Sequence, residues 1–250
     1  MPVAVQAAGW GLIAGGALVL GAAIAWLVSV PTKAIGLIMA FGAGVLISAL
    51  AFELVSEAAD GGGLLVTAAG FLGGALAYSA ANAVLARRGA QHRKRSGERQ
   101  PTEQDHSGSG AAIAVGALLD GIPESVVLGA SLLTGGGVSV SVLAAIFISN
   151  VPEGLSSAAG MRAAGRSAQY VFGIWVGIAA ASALAAYVGY AALSAAPPKI
   201  LAAITAVAAG AILAMIADTM LPEAYEKAHL LTGLVTALGF LSAFALSQHG

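Results

Sequence analysis

Two stretches of this 250-residue chain set a proline–glutamate pair in the middle of a long apolar run: Asp120-Gly121-Ile122-Pro123-Glu124-Ser125 and Ser149-Asn150-Val151-Pro152-Glu153-Gly154. An ionisable side chain at membrane depth costs about 2.5–3.5 kcal/mol on insertion scales, so by default it marks a functional site. Asp120 and Glu124 are i,i+4, Ser149 and Glu153 are i,i+4, and Asn150 and Glu153 are i,i+3. Each of these spacings puts both residues on one helix face. Pro123 cannot donate to the carbonyl of Leu119, nor Pro152 to that of Ile148, and carbonyls freed at depth survive where water or a cavity satisfies them. Carboxylates, an amide, a hydroxyl and loose carbonyls would form an oxygen-rich cation site. Without a cation, Glu124 and Glu153 would repel each other and share a proton, a route to pH-dependent binding.

The elements that must position these groups follow from composition. The chain is 58% hydrophobic and 9% charged, with a mean hydropathy of +0.89, whereas soluble domains carry about 25% charged residues. This is the composition of an all-α integral membrane protein, and membrane lipid is its first expected partner. A net charge of −1 gives no reason to expect nucleic acid, and the absence of Cys removes disulfides and thiolate metal sites. The 34 Gly residues suit helices that approach closely through small residues.

Apolar runs long enough to span a bilayer fall at 7–29, 34–54, 64–85, 111–133, 139–161, 171–193, 200–220 and 230–247, predicting eight transmembrane helices. Turn chemistry separates them at Pro31-Thr32-Lys33, Gly61-Gly62-Gly63, Gly135-Gly136-Gly137 and Pro197-Pro198. Residues 1–250 read as a single polytopic domain, with 86–110 as a charged, disordered linker between the third and fourth spans. The odd-numbered loops hold ten of the 11 Lys and Arg residues, and Lys199 is the exception. Odd loops are therefore expected in the cytoplasm, with both termini outside, as in a cell-membrane protein.

An internal repeat is also predicted. At an offset of 166, Gly44, Ala51, Glu57 and Ala58 coincide with Gly210, Ala217, Glu223 and Ala224. Spans 1–3 and 6–8 would then be inverted repeats around a proline-broken central pair, spans 4 and 5. Glu53 and Glu57, with Asp60 just beyond, sit at the outer end of span 2 as cation recruiters or as interfacial charge. Asp218 could line an exit near the end of span 7, whereas Glu223, Glu226 and His229 read as interfacial. His92 and His106 fall in the basic linker, which reads as solvated. An intramembrane enzyme would need a nucleophile or histidine at depth, and all four histidines (92, 106, 229, 249) lie in loops or at the ends, so no enzyme is expected.

These motifs resemble the ZIP (Zrt/Irt-like) family of divalent-metal transporters along the whole chain. In that family the fourth span carries His-Asn-x-Pro-Glu-Gly and the fifth a similar motif, matched here by Asp120, Gly121, Pro123, Glu124 and Ser125 and by Ser149, Asn150, Pro152, Glu153 and Gly154. Glu53 stands where the family's second span ends in His-x-x-x-Glu, and Glu57 is retained. Ala217-Asp218-Thr219-Met220-Leu221-Pro222-Glu223-Ala224 looks like the seventh-span ending of bacterial members. Both motif histidines are replaced, by Asp120 and Ser149, and span 6 has no acid. The resemblance therefore implies one metal site from Asp120, Glu124, Asn150 and Glu153, with Ser149, Glu53, Glu57 and Asp218 as secondary candidates.

The cargo implied is a divalent cation carried into the cytoplasm, Zn first with Mn or Fe as alternatives; the oxygen ligands by themselves lean toward Mn, Mg or Ca. No permanent cofactor is expected, and a homodimer is compatible with the reading. The alternative is a degenerate relative that binds or senses metal without transporting it, motivated by the lost histidines.

Overall fold

The computed structural model describes residues 1–90, 93–94, 109–133 and 139–248. Among them there are helices and no strands. The helices are α1 (Val3–Leu27), α2 (Thr32–Ala49), α3 (Val55–Leu85), α4 (Ser109–Ser131), α5 (Val140–Ala163), α6 (Ala168–Leu193), α7 (Pro198–Met215), α8 (Leu221–Ala228) and α9 (Leu231–Ser247). Two π-helical turns, Leu50–Leu54 and Ile216–Met220, join α2 to α3 and α7 to α8.

Six continuous helical stretches are long and apolar enough to cross a membrane, and Leu231–Ser247 is a shorter apolar helix. One of the six runs 57 residues, Thr32–Arg88, which as a straight rod would measure about 85 Å. It is not straight. Gly63, at φ 75° and ψ 168°, leaves helical geometry and breaks the rod, so the expected triple-glycine turn depends on one residue that needs positive φ. A second glycine stop follows α5, where Gly165 (φ 77°) sends its N–H to Arg162 and Arg166 sends its own to Met161. That is a Schellman close of the helix. Ser139 and Ser167 cap α5 and α6 by accepting from Val142 and Tyr170.

The expected break at the central prolines is not found. α4 and α5 run as α-helix through Pro123 and Pro152. One missing i→i−4 bond is a local defect that neighbouring helices hold in place; departures from α geometry lie instead at Gly63 and at π turns, two of which join α2 to α3 and α7 to α8. These occupy 50–54 and 216–220, and so sit 166 residues apart. The packing is paired in the same sense: α3 lies on α7 as α2 lies on α9, and α1 on α5 as α4 on α6. The expected 86–110 linker is partly helical, since Ala86–Ala90 continues as a π turn, and Arg93 and Lys94 are buried rather than solvated. The remainder of that linker, including His92 and His106, lies outside the described residues, as do the Gly135-Gly136-Gly137 turn and His249.

Apolar side chains cover the outside. Leu64 and Leu65 are each 83% exposed, and Leu72, Leu76, Val176, Leu184, Leu234 and Leu241 point outward too, while Asp120, Glu124 and Glu153 are buried. This inside-out distribution suits a lipid surround and no aqueous one. Inside, small residues let helices touch backbone to backbone. A Cβ on Gly44 would strike the carbonyl of Thr236 in α9, and one on Gly210 would strike that of Phe71 in α3. Gly44→Ala and Gly210→Ala are each expected to cost about 1–3 kcal/mol through overpacking. Thermal unfolding of the detergent-solubilised protein checks this, with Gly16→Ala, where nothing lies within 4 Å, as the tolerated control.

Candidate functional site

The fourth and fifth helices present their polar groups inward, as helical periodicity requires. On α5, Ser149, Asn150, Glu153, Ser156 and Ser157 form one buried stripe. On α4, Asp120, Glu124 and Ser125 are each 3% exposed or less. Asn150 Nδ2 donates to the Ala14 carbonyl of α1 at 2.9 Å, tying α5 to the neighbouring helix. Hydroxyls on both proline helices bond back to their own backbone, Ser125 Oγ donating to the Gly121 carbonyl at 2.7 Å and Ser149 Oγ to that of Ile146 at 2.9 Å.

Asp120 is the centre of the cluster. Tyr78 of α3 donates its hydroxyl to Asp120 Oδ1 at 2.5 Å. Arg93 grips both oxygens, Nη2 to Oδ1 at 2.8 Å and Nε to Oδ2 at 3.0 Å. The same guanidinium reaches Tyr78 Oη at 2.8 Å and Asn82 Oδ1 at 2.6 Å. Lys94 Nζ lies 3.3 Å from Asp120 Oδ2 and 2.9 Å from Glu153 Oε2, bridging α4 and α5 by charge. Glu124 faces Glu153, Lys94, Asp120 and Asn150, and its Oε1 is buried without a hydrogen-bond donor. Three acids thus meet two bases, leaving the cluster one carboxylate richer than its cations.

Of the predicted ligands, Asp120, Glu124, Asn150 and Glu153 share this neighbourhood, with Ser149 on the same stripe. They do not form a coordination shell: among the described residues no three acid, His or Cys side chains converge to hold a metal. The outlying candidates lie elsewhere. Glu53, in the first π turn, accepts from Ser139 Oγ at 2.6 Å. With Glu57, Asp60 and Thr205 it lines an open pocket of about 510 Å³. Asp218, in the second π turn, is exposed and takes a long 3.4 Å contact from Ser79 Oγ. π turns recur at functional positions, and here Leu50–Leu54 and Ile216–Met220 each carry an acid.

Glu223 corrects its interfacial reading. It is 1% exposed, because α8 folds against α2 and brings the carboxylate to Ser156 Oγ at 3.3 Å. Four other participants escaped sequence reasoning. Tyr78 and Asn82 had a signal, a polar i,i+4 pair in the apolar third span. Arg93 and Lys94 had none that separates them from the other bases of the linker.

Neither models of known protein families nor the curated proteins give a match to this chain. Fold and site together define an all-helical protein, with apolar helices fit to cross a membrane and a buried acid–base cluster at its centre. Removing one partner of a buried ion pair strands the other, at about 3–5 kcal/mol. Asp120→Ala is expected to lose that much in chemical unfolding from mixed micelles. Tyr78→Phe should lose about 1.5–3 kcal/mol, the value of a hydrogen bond to a charged group.

Proposed function

We propose that this chain is a ZIP-like secondary transporter that moves a divalent cation, Zn first with Mn or Fe as alternatives, into the cytoplasm. The observation that carries this reading is that acids from α4 and α5 share one buried positive charge: Lys94 Nζ stands between Asp120 and Glu153 at 3.3 and 2.9 Å. A pocket where two helices hold one cation between their carboxylates has the chemistry that hard and borderline metal ions require. The unpartnered Glu124 Oε1 offers a further donor.

In this reading Glu124 and Glu153 exchange protons for metal, and Asp120 and Asn150 complete the shell. Counting the Gly63 break and the Leu231–Ser247 helix gives eight spans. The matched π turns and paired packing support inverted repeats, with spans 1–3 related to spans 6–8. Movement of one helix group against the other would alternate access. The Lys and Arg distribution supports odd loops in the cytoplasm.

A second reading is favoured by one observation: among the described residues, Tyr78, Arg93 and Lys94 engage both oxygens of Asp120. A site whose acid is already so engaged suits a relative that binds or senses metal without carrying it. Uptake of Zn, Mn and Fe into proteoliposomes separates the two. The carrier should accumulate metal, and Glu124→Ala with Glu153→Ala should reduce uptake to the protein-free background. Calorimetric binding without flux in the same preparation would favour the sensor, and uptake indifferent to the double substitution would remove the proposed site.

A further inference from the structure

The two bases of the cluster come from the linker that follows the third span, and their environment is built for them. Arg93 and Lys94 are each 3% exposed. Two cations enter an apolar bundle only where opposite charge and hydrogen bonds offset their lost hydration. For Arg93 the match is complete on three nitrogens: Nε and Nη2 on Asp120, Nη2 on Tyr78, Nη1 on Asn82. Gly116 of α4 belongs to the same cradle, since a Cβ there would run into the Arg93 side chain. Lys94 is fixed from behind, its backbone carbonyl accepting from Ser156 Oγ of α5. Its ammonium stands 2.9 Å from Glu153 Oε2 and 3.3 Å from Asp120 Oδ2, with Glu124 also facing it.

We propose that Arg93 and Lys94 are a tethered competitor of the transported cation: an autoinhibitory plug that fills the carboxylate site and must withdraw when a divalent ion takes Asp120, Glu124 and Glu153. The inference rests on the carrier or sensor reading of that site. Its physical basis is mutual exclusion. Asp120 cannot offer an oxygen to a metal while Arg93 grips both, and a divalent ion between Asp120 and Glu153 would repel an ammonium in the same gap. The two parts differ in role. Arg93, with its planar fork, fixes the plug in place; Lys94, a compact point charge between Asp120 and Glu153, stands where the cargo would stand. A site that is competent only when unplugged shows an affinity reduced by the unplugged fraction.

The test is calorimetric titration of the full-length detergent-solubilised protein with Zn²⁺ and Mn²⁺, comparing wild type, Lys94→Gln and Arg93→Gln/Lys94→Gln. The expected result is a Kd about tenfold or more lower for folded Lys94→Gln, as removal of an internal competitor requires. A purely structural lysine predicts the opposite, a less stable protein with unchanged or weaker binding, and that result in folded protein overturns the plug while leaving the carrier reading intact. Absence of binding in wild type and variants alike overturns both.

Limited trypsin digestion of the wild type, mapped by mass spectrometry, covers the case in which a variant does not fold. Cleavage after Arg93 and Lys94 should be slow in metal-free protein and faster by about tenfold with saturating Zn²⁺. A rate unchanged by metal that binds calorimetrically overturns the plug.

Discussion

Burying a charge in an apolar bundle is the constraint to which the rest of this molecule is subject. Asp120 is 2% exposed, at a depth where an unpaired carboxylate would be replaced by its neutral form or would unfold the helix around it. It stays because three groups from separate parts of the chain reach it: Tyr78 on α3, and Arg93 and Lys94 from the linker, the Lys94 ammonium being shared with Glu153 on α5. Each of these contacts fixes a helix position as well as a charge. The bundle interior is therefore specified by polar geometry at its centre and by shape elsewhere, since lipid tails supply little apolar driving force for one helix to choose another.

Shape is the work of small residues. Ala and Gly dominate the buried set, so helix backbones meet where soluble proteins would interpose Leu or Phe. Close approach carries a consequence for the site. Helices this near each other can set carboxylates from α4 and α5 within an ion's reach of one ammonium, which long side chains between them would prevent. The π turns complete the arrangement. Those at Leu50–Leu54 and Ile216–Met220 each add one residue's worth of rotation to a long helix, turning Glu53 toward Ser139 and the open pocket in one case and Asp218 toward Ser79 in the other.

The cluster has a chemistry that neither a salt bridge nor a metal site exhausts. Carboxylate oxygens accept arginine, lysine, protons and divalent ions, and which of these occupies them is a matter of relative affinity. Here the protein supplies two of its own cations. Arg93 and Lys94 are thereby part of the site.

Much was legible in the sequence because it depends on near neighbours. Apolar length marked an all-helical chain with long apolar helices, and i,i+4 spacing put Asp120 beside Glu124 and Ser149 beside Glu153; the π turns, which lie 166 residues apart, were not foreseen. Tertiary structure alone decided that Pro123 and Pro152 leave their helices unbroken, since packing from adjacent helices holds a backbone that local rules would interrupt. It also decided that Glu223 is buried against Ser156. The selection of Arg93 and Lys94 from a run of similar bases belongs to the same class. Local pattern fixes which way a residue faces on its own helix; which distant charge it meets there depends on how the helices assemble, and the low dielectric of that interior makes the meeting obligatory.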